Sequence, residues 1–315
     1  MIKRLVATPE TLNLVLETWY IQNTLFDGIP YSIGFDGSIS NSTLVYVELR
    51  SINLDYIRHL KALGNKVVLY HLGDERADAD ISAYPECDLV IRNYYFREIF
   101  ERPGFAGKLL WAPNGFRTGV GPRSPDSIKK ASERTCFSMF AGWLSNSVSY
   151  GNERTLFANV TDRCAGNLFC QPSQGFSGGY NVGLYSAMME DSIFAPCPAG
   201  NSPETIRLYD ALEVGSIPIS LSHAFLTSKQ ALAALGPVPF PLIESWEMLP
   251  DLLSSMKANF ARNPGEMNTL QAKCIAWWQN YKALTRQKIS AGCDALEPKK
   301  SGFSLFSRAR RPAQQ

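Results

Sequence analysis

The amino-acid sequence predicts an α/β protein in which helices flank parallel sheets. Apolar, strand-like runs such as Leu44–Leu49 and Lys66–Leu72 alternate with helix-like patterns, which is the order of repeated βαβ units. The chain has 315 residues, which suits two domains of ordinary size. A segment rich in glycine, proline, serine and charge, Gly119–Lys130, marks the expected boundary. The expected division is an N-terminal domain of residues 1–125, a C-terminal domain of residues 126–290 and a basic, flexible tail of residues 291–315.

Further strands are expected in both halves. The glycines and serines of residues 34–42 suggest that the first forty residues are rich in loops, and the sequence assigns them no role. In the N-terminal half, a helix over Leu54–Leu63 ends at Gly64. The remaining expected strands are Asp88–Asn93, Lys108–Ala112, Cys136–Ala141, Asn167–Gln171, Ser192–Ala195 and Ser216–Leu221, and the long final helices are Trp246–Phe260 and Pro264–Ser290.

Composition excludes several classes of protein. The net charge of +2 gives no reason to expect a nucleic-acid partner, and no run approaches the roughly 18 apolar residues of a membrane span. The first residues lack the apolar core of a signal peptide. The seven cysteines are scattered, with no paired spacing typical of zinc sites. We therefore expect a reducing compartment, the cytoplasm.

The stretch from Ser192 to Ser220 predicts an anion site. A short strand runs into a small-residue loop, and a helix is expected to follow with Ser202 as its N-cap, Pro203 in its first turn and Gly215 at its end. Unpaired N–H groups and the helix dipole both favour an anion at such a loop. Arg207 and Asp210 share one face of this helix. Arg207 can neutralise a phosphate and Asp210 can accept from a ribose hydroxyl, so the pattern indicates a nucleotide site.

This stretch resembles the signature of exostosin-type glycosyltransferases. Ser216 stands where those enzymes usually carry cysteine, and Asp210 where glutamate is common. The close resemblance covers about thirty residues. The matching positions are Ser192, Phe194, Pro198, Gly200, Ser202, Arg207, Asp210, Gly215 and Pro218.

The resemblance implies an architecture and an activity. Exostosin-like enzymes have two facing Rossmann-like domains, the arrangement called GT-B, and such two-domain transferases often have C-terminal helices that cross back to brace the first domain. The implied reaction is an inverting transfer of a sugar from a nucleotide donor, UDP-linked, to a saccharide acceptor in surface polysaccharide or glycan synthesis. No cofactor is expected beyond the nucleotide sugar. The expected donor-binding residues are Gly142, Gly200, Asn201, Ser202, Glu204, Arg207 and Asp210.

Polar clusters follow three successive strands of the N-terminal half, where ligands of open α/β sheets bind. The segments around His71–Glu75 and Arg92–Tyr94 also resemble parts of the xylosyltransferase branch of exostosin-like enzymes. An inverting transfer needs a base for the acceptor hydroxyl. Asp74 or Glu75 is the expected base, with His71 next. The expected acceptor-side residues are Arg92, Asn93, Tyr94 and Asn114.

Two further motifs are ambiguous. Asp78 and Asp80 have the spacing of a metal-binding Asp-x-Asp, but they stand in an acidic stretch typical of a solvated loop, and we expect Arg207 to act without a metal. The tail Lys299–Arg311 places aromatic and aliphatic residues among basic ones, a pattern that suits either peripheral contact with an anionic membrane or a solvated tail.

Two alternatives remain open at this level. A fucosyltransferase-like enzyme that uses a GDP-sugar shares the acidic–Ala–Leu pattern followed by glycine. The other alternative is a non-catalytic protein that binds a saccharide or nucleotide on the same scaffold, because the same fold can occur without the activity.

Overall fold

A computed structural model describes residues 2–34, 39–146, 148–175 and 181–296. The first sheet has six parallel strands in the order β2-β1-β3-β4-β5-β6. Its strands are β1 (Ile2–Ala7), β2 (Tyr31–Ile33), β3 (Thr43–Leu49), β4 (Lys66–Leu72), β5 (Leu89–Arg92) and β6 (Leu109–Trp111).

The second sheet has five parallel strands in the order β11-β10-β9-β7-β8. It begins after the segment Gly119–Lys130, which therefore separates the two sheets along the chain, and the division into domains at this segment stays a prediction. Its strands are β7 (Cys136–Gly142), β8 (Phe169–Pro172), β9 (Ser192–Pro196), β10 (Ile217–Leu221) and β11 (Leu242–Ile243).

Helices connect the strands of both sheets. Asn53 caps the third helix by accepting from the backbone N–H of Tyr56, and Gly64 with a φ of +78° follows the end of that helix. The helices are α1 (Pro9–Leu14), α2 (Thr18–Tyr20, continued by a π-helical turn over Ile21–Leu25), α3 (Leu54–Ala62), α4 (Arg97–Phe100), α5 (Glu153–Thr161), α6 (Val182–Glu190), α7 (Ile206–Glu213), α8 (Ala224–Thr227), α9 (Lys229–Leu235), α10 (Leu249–Arg262) and α11 (Pro264–Asp294).

The start of the chain differs from the prediction of a loop-rich entry. Strand β1 lies inside the first sheet, where Leu5 pairs with Val45 of β3, and Leu5, Val6 and Ala7 are buried. Lys3 and Arg4 interrupt the apolar pattern of this strand, which hides it in the sequence. The first residues therefore form part of the core.

The start of α7 also differs from the prediction. The helix begins at Ile206 with Thr205 at the N-cap position, so the assignment of Ser202 as N-cap was wrong. Ser202 Oγ instead accepts from the backbone N–H of Glu204 at 3.3 Å. The reason lies in Glu204, whose carboxylate accepts from the backbone N–H of Asn114 at 2.6 Å and holds this turn away from helical geometry.

Helix α11 joins the two halves, which confirms the predicted bracing helix. Its Trp278 stacks on Tyr20 at 6.1 Å between ring centroids and donates to Glu213 Oε2 of α7 at 2.6 Å. Near its end, Gly292 packs against Leu89 and Leu110 of the first sheet. The helix extends to Asp294, beyond the predicted end at Ser290.

One prediction concerns residues that the structure does not describe. The tail Lys299–Arg311 lies outside them, so membrane contact through it stays a prediction. In the part of the chain that the structure describes, no helix combines the length and the apolar character needed to cross a bilayer. All seven cysteines fall within that part and are unpaired.

Candidate functional site

A cleft of about 710 Å³ opens where the carboxyl ends of strands from both sheets meet, which is within the usual range for small-molecule sites. The segments after β1, β4, β5, β6, β7, β8 and β9 and the start of α7 contribute to its walls. The lining residues are Leu12, Asn13, Val15, Leu16, Glu17, Thr18, Glu75, Tyr94, Arg117, Thr118, Ala141, Gly142, Trp143, Asn146, Arg154, Ser173, Val182, Tyr185, Gly200, Asn201, Ser202, Glu204, Thr205, Ile206 and Arg207.

Arg207 of α7 is a buried cation in this cleft. Only 5% of its surface is exposed, and its guanidinium lies 4.3 Å from the centroid of the Phe140 ring. Its Nη1 donates to Tyr185 Oη at 3.4 Å, while its buried Nε has no hydrogen-bond partner among the described residues. Within the described residues it forms no ion pair. Buried donors and charges without partners are costly, so this guanidinium is prepared for an anion.

Arg154 of α5 is a second buried cation beside it. Its guanidinium lies 5.4 Å from the same Phe140 ring, and its Nε and Nη1 donate to the carbonyl oxygens of Ala199 and Trp143. Burial, and then the positive charge of Arg207, lower the pKa of Arg154. Two arginines that repel each other in a buried cleft would both be stabilised by one multivalent anion.

Asp210 does not face the cleft, which corrects its expected contact with a ribose. It is fully buried, and its carboxylate accepts from the backbone N–H and the Nε of Arg117 at 2.8 and 2.7 Å. It also accepts from Tyr185 Oη at 3.2 Å. Asp210 therefore positions Arg117, whose guanidinium lies 4.5 Å from the centroid of the Tyr185 ring and lines the cleft.

Gly142, an expected donor-binding residue, lines the cleft at the end of β7, and its contact with a donor stays a prediction. A Cβ atom at this position would lie 2.4 Å from Arg207 Nη2. A side chain here would push the end of the Arg207 side chain from its place beside Phe140, and the φ of +157° also favours glycine. Gly142 thus acts through Arg207.

The loop after β9 lines the cleft with the expected donor-binding residues Gly200, Asn201 and Ser202 in its wall. Asn201 Nδ2 donates to Glu75 Oε2 at 2.6 Å, and this bond joins the two halves across the cleft. Because α7 starts after this loop, residues 200–204 are not the first turn of the helix. The anion site consequently depends on arginine side chains more than on a helix N-terminus.

Glu204 lies in the cleft wall, but its carboxylate points into the junction between the two halves. It accepts from the backbone N–H groups of Tyr95 and Asn114 and from Tyr209 Oη. Burial raises the pKa of Glu204 to about 7. Its contacts fit a group that fixes the two halves to each other better than a donor ligand.

Two of the three expected bases are structural. Asp74 is buried and pairs with Arg92 Nη2 at 2.7 Å, and it also accepts from the backbone N–H groups of Asp78 and Ala79. These bonds lower its pKa against the effect of burial, which makes it a weak base. His71 is buried between Tyr84 Oη and the carbonyl of Arg50, and burial lowers its pKa to about 4. Neither residue lines the cleft.

Glu75 is the expected base that does line the cleft. It is half-buried, and it accepts from Asn201 Nδ2 and, at 3.2 Å, from Tyr94 Oη. Tyr94 also lines the cleft, as expected for an acceptor-side residue.

The other expected acceptor-side residues are buried behind the cleft. Arg92 is held by Asp74, and Asn93 Nδ2 donates to Asn114 Oδ1 at 2.6 Å. Asn114 Nδ2 donates to the carbonyl of Glu204 at 3.2 Å. These side chains stabilise the junction that shapes the cleft, and none of the three contributes to its wall.

Glu17 is a cleft residue that sequence reasoning missed. It stands between α1 and α2, has 8% of its surface exposed, and faces the cleft without an ion pair among the described residues. Burial raises its pKa to about 7, and the negative charges of Asp210 and Glu75 act in the same direction. Arg154 and Tyr185 were likewise missed, whereas Arg117 belongs to the polar segment 114–117 that the sequence marks after a strand. No local motif marks Glu17, Arg154 and Tyr185, because the fold brings them together from separate segments.

The residues described here contain no cluster of three or more histidine, cysteine or acidic side chains that could hold a metal ion. Asp78 accepts from Arg50 Nη2 and Asp80 from the backbone N–H of Ser82, and neither lines the cleft. Metal independence stays a prediction.

Comparison with known proteins gives two sequence matches. The family model described as "RXYLT1 C-terminal domain" matches residues 180–292, which include Tyr185, the loop after β9 and Arg207. Human ribitol-5-phosphate xylosyltransferase 1 is 26% identical over 119 residues, covering 34% of this chain. The chain spans only 26% of the length of that relative. These matches agree with the predicted xylosyltransferase-like branch, and the wider resemblance to exostosins stays a prediction.

Solved structures resemble the whole fold at low identity. The Anabaena protein HepE in complex with UDP has a TM-score of 0.50 and 12% identity, and the match covers 93% of this chain and 100% of that one. A trehalose 6-phosphate synthase from Burkholderia multivorans gives a TM-score of 0.48 at 11% identity, with coverage of 87% and 74%. The fold is the predicted GT-B arrangement of two Rossmann-like domains.

Proposed function

We propose that this protein is a glycosyltransferase that takes a sugar from a nucleotide diphosphate donor and transfers it to a hydroxyl group of an acceptor. The observation that carries the proposal is the pair Arg154 and Arg207, two buried cations in the cleft of a GT-B fold without carboxylate partners among the described residues.

The charge of the cleft suits the departure of a nucleoside diphosphate. When the bond between the anomeric carbon and the β-phosphate breaks, negative charge develops on the phosphate oxygen. Fixed cations in a buried site stabilise that charge without having to reorganise. Arg154 and Arg207 supply these cations directly, so we propose that no metal is required.

The two halves of the cleft would hold different substrates. The arginines belong to the C-terminal half, so the donor diphosphate would lie there. Glu17, Glu75 and Tyr94 belong to the N-terminal half and face the same space, so the acceptor would lie there. This division follows the donor and acceptor sides expected from the sequence: Arg207, Glu75 and Tyr94 belong to the expected set, and Arg154 and Glu17 are added to it.

The relatives suggest which donor to test first. HepE was solved with UDP, and the human relative is named a xylosyltransferase that acts on ribitol 5-phosphate. We therefore take UDP as the nucleotide and UDP-xylose as the first donor, with a saccharide or polyol phosphate acceptor in surface polysaccharide or glycan synthesis. We also propose that the protein acts in the cytoplasm.

Calorimetry with UDP and GDP tests the proposal together with a transfer assay. We expect UDP to bind, and Arg207→Ala to weaken this binding by about 1.5–3 kcal/mol, roughly 10- to 150-fold, because a charge-assisted contact to phosphate is lost. The control is Arg163→Ala, since Arg163 is exposed, pairs with Glu247 and lies outside the cleft wall. Its UDP affinity should be unchanged.

Three outcomes would count against the proposal. Binding of GDP alone would favour the fucosyltransferase-like alternative. UDP binding without release of UDP from any sugar donor would favour a non-catalytic binding protein. Equal UDP affinity in Arg207→Ala and the parent protein would show that the arginine pair is structural.

A further inference from the structure

Glu17 is held in the cleft by its neighbours in the chain. The carbonyl of Leu16 accepts from the backbone N–H of Thr118 at 2.7 Å, and the backbone N–H of Trp19 donates to Thr118 Oγ1 at 3.2 Å. The carbonyl of Glu17 itself accepts from Ile21 N at 2.9 Å. Bonds on both sides of Glu17 therefore fix its backbone against the segment that carries Arg117.

The carboxylate of Glu17 differs from the other acidic groups around the cleft. Asp74, Asp210 and Glu204 each accept several hydrogen bonds, and Glu75 accepts two. Within the described ranges, Glu17 forms no ion pair and accepts no side-chain hydrogen bond from another residue. It is a largely buried acceptor that faces a substrate-sized space.

The groups around Glu17 set its protonation. The hydrogen bond from its own backbone N–H and the positive charge of Arg117 favour its ionisation, and the negative charges of Asp210 and Glu75 oppose it. The hydroxyls of Tyr70 and Tyr94 also lie close enough to sense its charge. With burial as the largest effect, its pKa rises to about 7, where an acid–base group exchanges protons most readily at neutral pH.

We propose that Glu17 is the general base of the transfer reaction, the group that takes the proton from the acceptor hydroxyl. This inference rests on the proposed glycosyltransferase function. The acceptor oxygen attacks the anomeric carbon of the donor sugar and forms the new glycosidic bond. The bond from that carbon to the β-phosphate oxygen breaks, and its electron pair leaves with UDP. The acceptor proton passes to a carboxylate oxygen of Glu17, which later releases it to water.

Glu75 has a different task in this arrangement. Its two oxygens accept from Asn201 of the opposite half and from Tyr94, so both are already engaged. Removal of its charge would weaken the bond between the halves. The carboxylate of Glu17 interacts with its own backbone N–H and, within the described ranges, accepts no side-chain hydrogen bond from another residue, so it keeps the capacity to accept a proton from a substrate.

The test uses Glu17→Gln, which keeps the size and removes the basic oxygen. UDP release from UDP-xylose is followed with ribitol 5-phosphate as acceptor and with water alone, and UDP binding is measured by calorimetry. We expect turnover to fall about 10²- to 10⁴-fold, while the Kd for UDP changes less than about twofold. Glu10→Gln, an exposed change on α1 of the same segment, is the matched control and should keep full turnover.

The pH profile separates a base from a structural group. In the parent protein, kcat/KM should rise about tenfold per pH unit below pH 7 and level off above it, because only ionised Glu17 accepts the proton. This limb should disappear in Glu17→Gln and persist in Glu75→Gln.

The outcomes distinguish this inference from the function on which it rests. If Glu17→Gln turns over like the parent protein, or keeps the same pH limb, the role of Glu17 is wrong and the transferase proposal stands. If the parent protein binds no UDP, or releases none from UDP-xylose or UDP-glucose, the transferase proposal fails and the role of Glu17 fails with it. Retained UDP binding in Glu17→Gln shows that the variant is folded.

Discussion

The C-terminal and N-terminal faces of the cleft differ in the charged groups that have no ion-pair partner among the described residues. The C-terminal face presents Arg154 and Arg207, which share the ring of Phe140 and have no carboxylate partner among the described residues. The N-terminal face presents Glu17 and Glu75, together with Arg117, whose charge is paired with Asp210. A reaction that expels a diphosphate and removes a proton from a hydroxyl needs cations at one end and a base at the other, and the cleft separates these requirements between its two faces.

The buried charged groups around the cleft fall into two kinds, those that stabilise the fold and those that keep free hydrogen-bonding capacity. Behind the N-terminal face, Asp74 neutralises the fully buried Arg92, and at the junction Glu204 accepts backbone N–H groups of the opposite half. Those carboxylates hold the walls in place. Glu17 and the two cleft arginines have unused bonding capacity, and such capacity in a buried site is what distinguishes a binding group from a structural one.

The largest expected effect tests the distinction between carboxylates that stabilise the fold behind the cleft and carboxylates that line the cleft. Asp74→Asn should lower the free energy of unfolding by about 3–5 kcal/mol, because Arg92 is left as a buried charge without a counter-charge. Glu75→Gln should lower it by less than about 1 kcal/mol, because Glu75 is partly exposed and forms no ion pair within the described ranges. Urea denaturation measures both. Equal stability of Asp74→Asn and the parent protein would remove Asp74 from the structural group.

A smaller effect concerns the raised pKa values of Glu17 and Glu204. Both rise from 4.5 to about 7 in the folded protein, so between these values the folded state binds more protons than the unfolded chain. Their contribution to stability is therefore complete below about pH 4.5 and is lost as the pH rises through 7. Glu17→Gln should remove the part of this loss that comes from Glu17. Between pH 5 and pH 8 the free energy of unfolding should therefore fall by about 2 kcal/mol less in the variant than in the parent protein.

Urea denaturation at several pH values measures how the free energy of unfolding changes with pH. The decrease that remains in Glu17→Gln would come from Glu204. A parent protein whose stability does not fall between pH 5 and pH 8, with Glu17→Gln following the same curve, would mean that Glu17 is ionised without cost and is not the poised base described above.

The smallest expected effect tests how Arg207 is placed. Gly142→Ala should weaken UDP binding about tenfold, or 1.4 kcal/mol, because the new Cβ displaces the guanidinium. Gly200→Ala is the matched control, since a Cβ there meets Arg154 only at an ordinary contact distance of 3.9 Å. Calorimetry with UDP compares them. An equal loss in both variants would mean that the loops and not Arg207 determine affinity.

The regular parts of the fold could be predicted from the sequence. The strand Lys66–Leu72 has the predicted bounds, and the βαβ unit around Arg207 follows from an apolar run, a small-residue loop and a glycine after the helix. Arg207 could be singled out because its role depends on a local pattern. Strand β1 was missed because Lys3 and Arg4 break its apolar run.

The rest of the site depends on contacts between distant segments. Arg117 reaches the cleft because Asp210, 93 positions later in the chain, holds it. Glu17 lies between two short helices whose placement depends on Thr118, and no spacing marks it as special. Asp74 follows a strand, as the sequence indicates, but its expected role as a base depends on the direction of its side chain, which the position of Arg92 fixes only in the folded chain.

The most direct test of the central claim is calorimetry of the unmodified protein with UDP, UMP and uridine at constant ionic strength. If Arg154 and Arg207 form a diphosphate site, affinity should rise at each added phosphate, with UDP at least about tenfold tighter than UMP and uridine weakest, and the gain should shrink at high salt. Uridine that binds as tightly as UDP would contradict the account, because the two buried arginines would then contribute nothing to recognition of the donor.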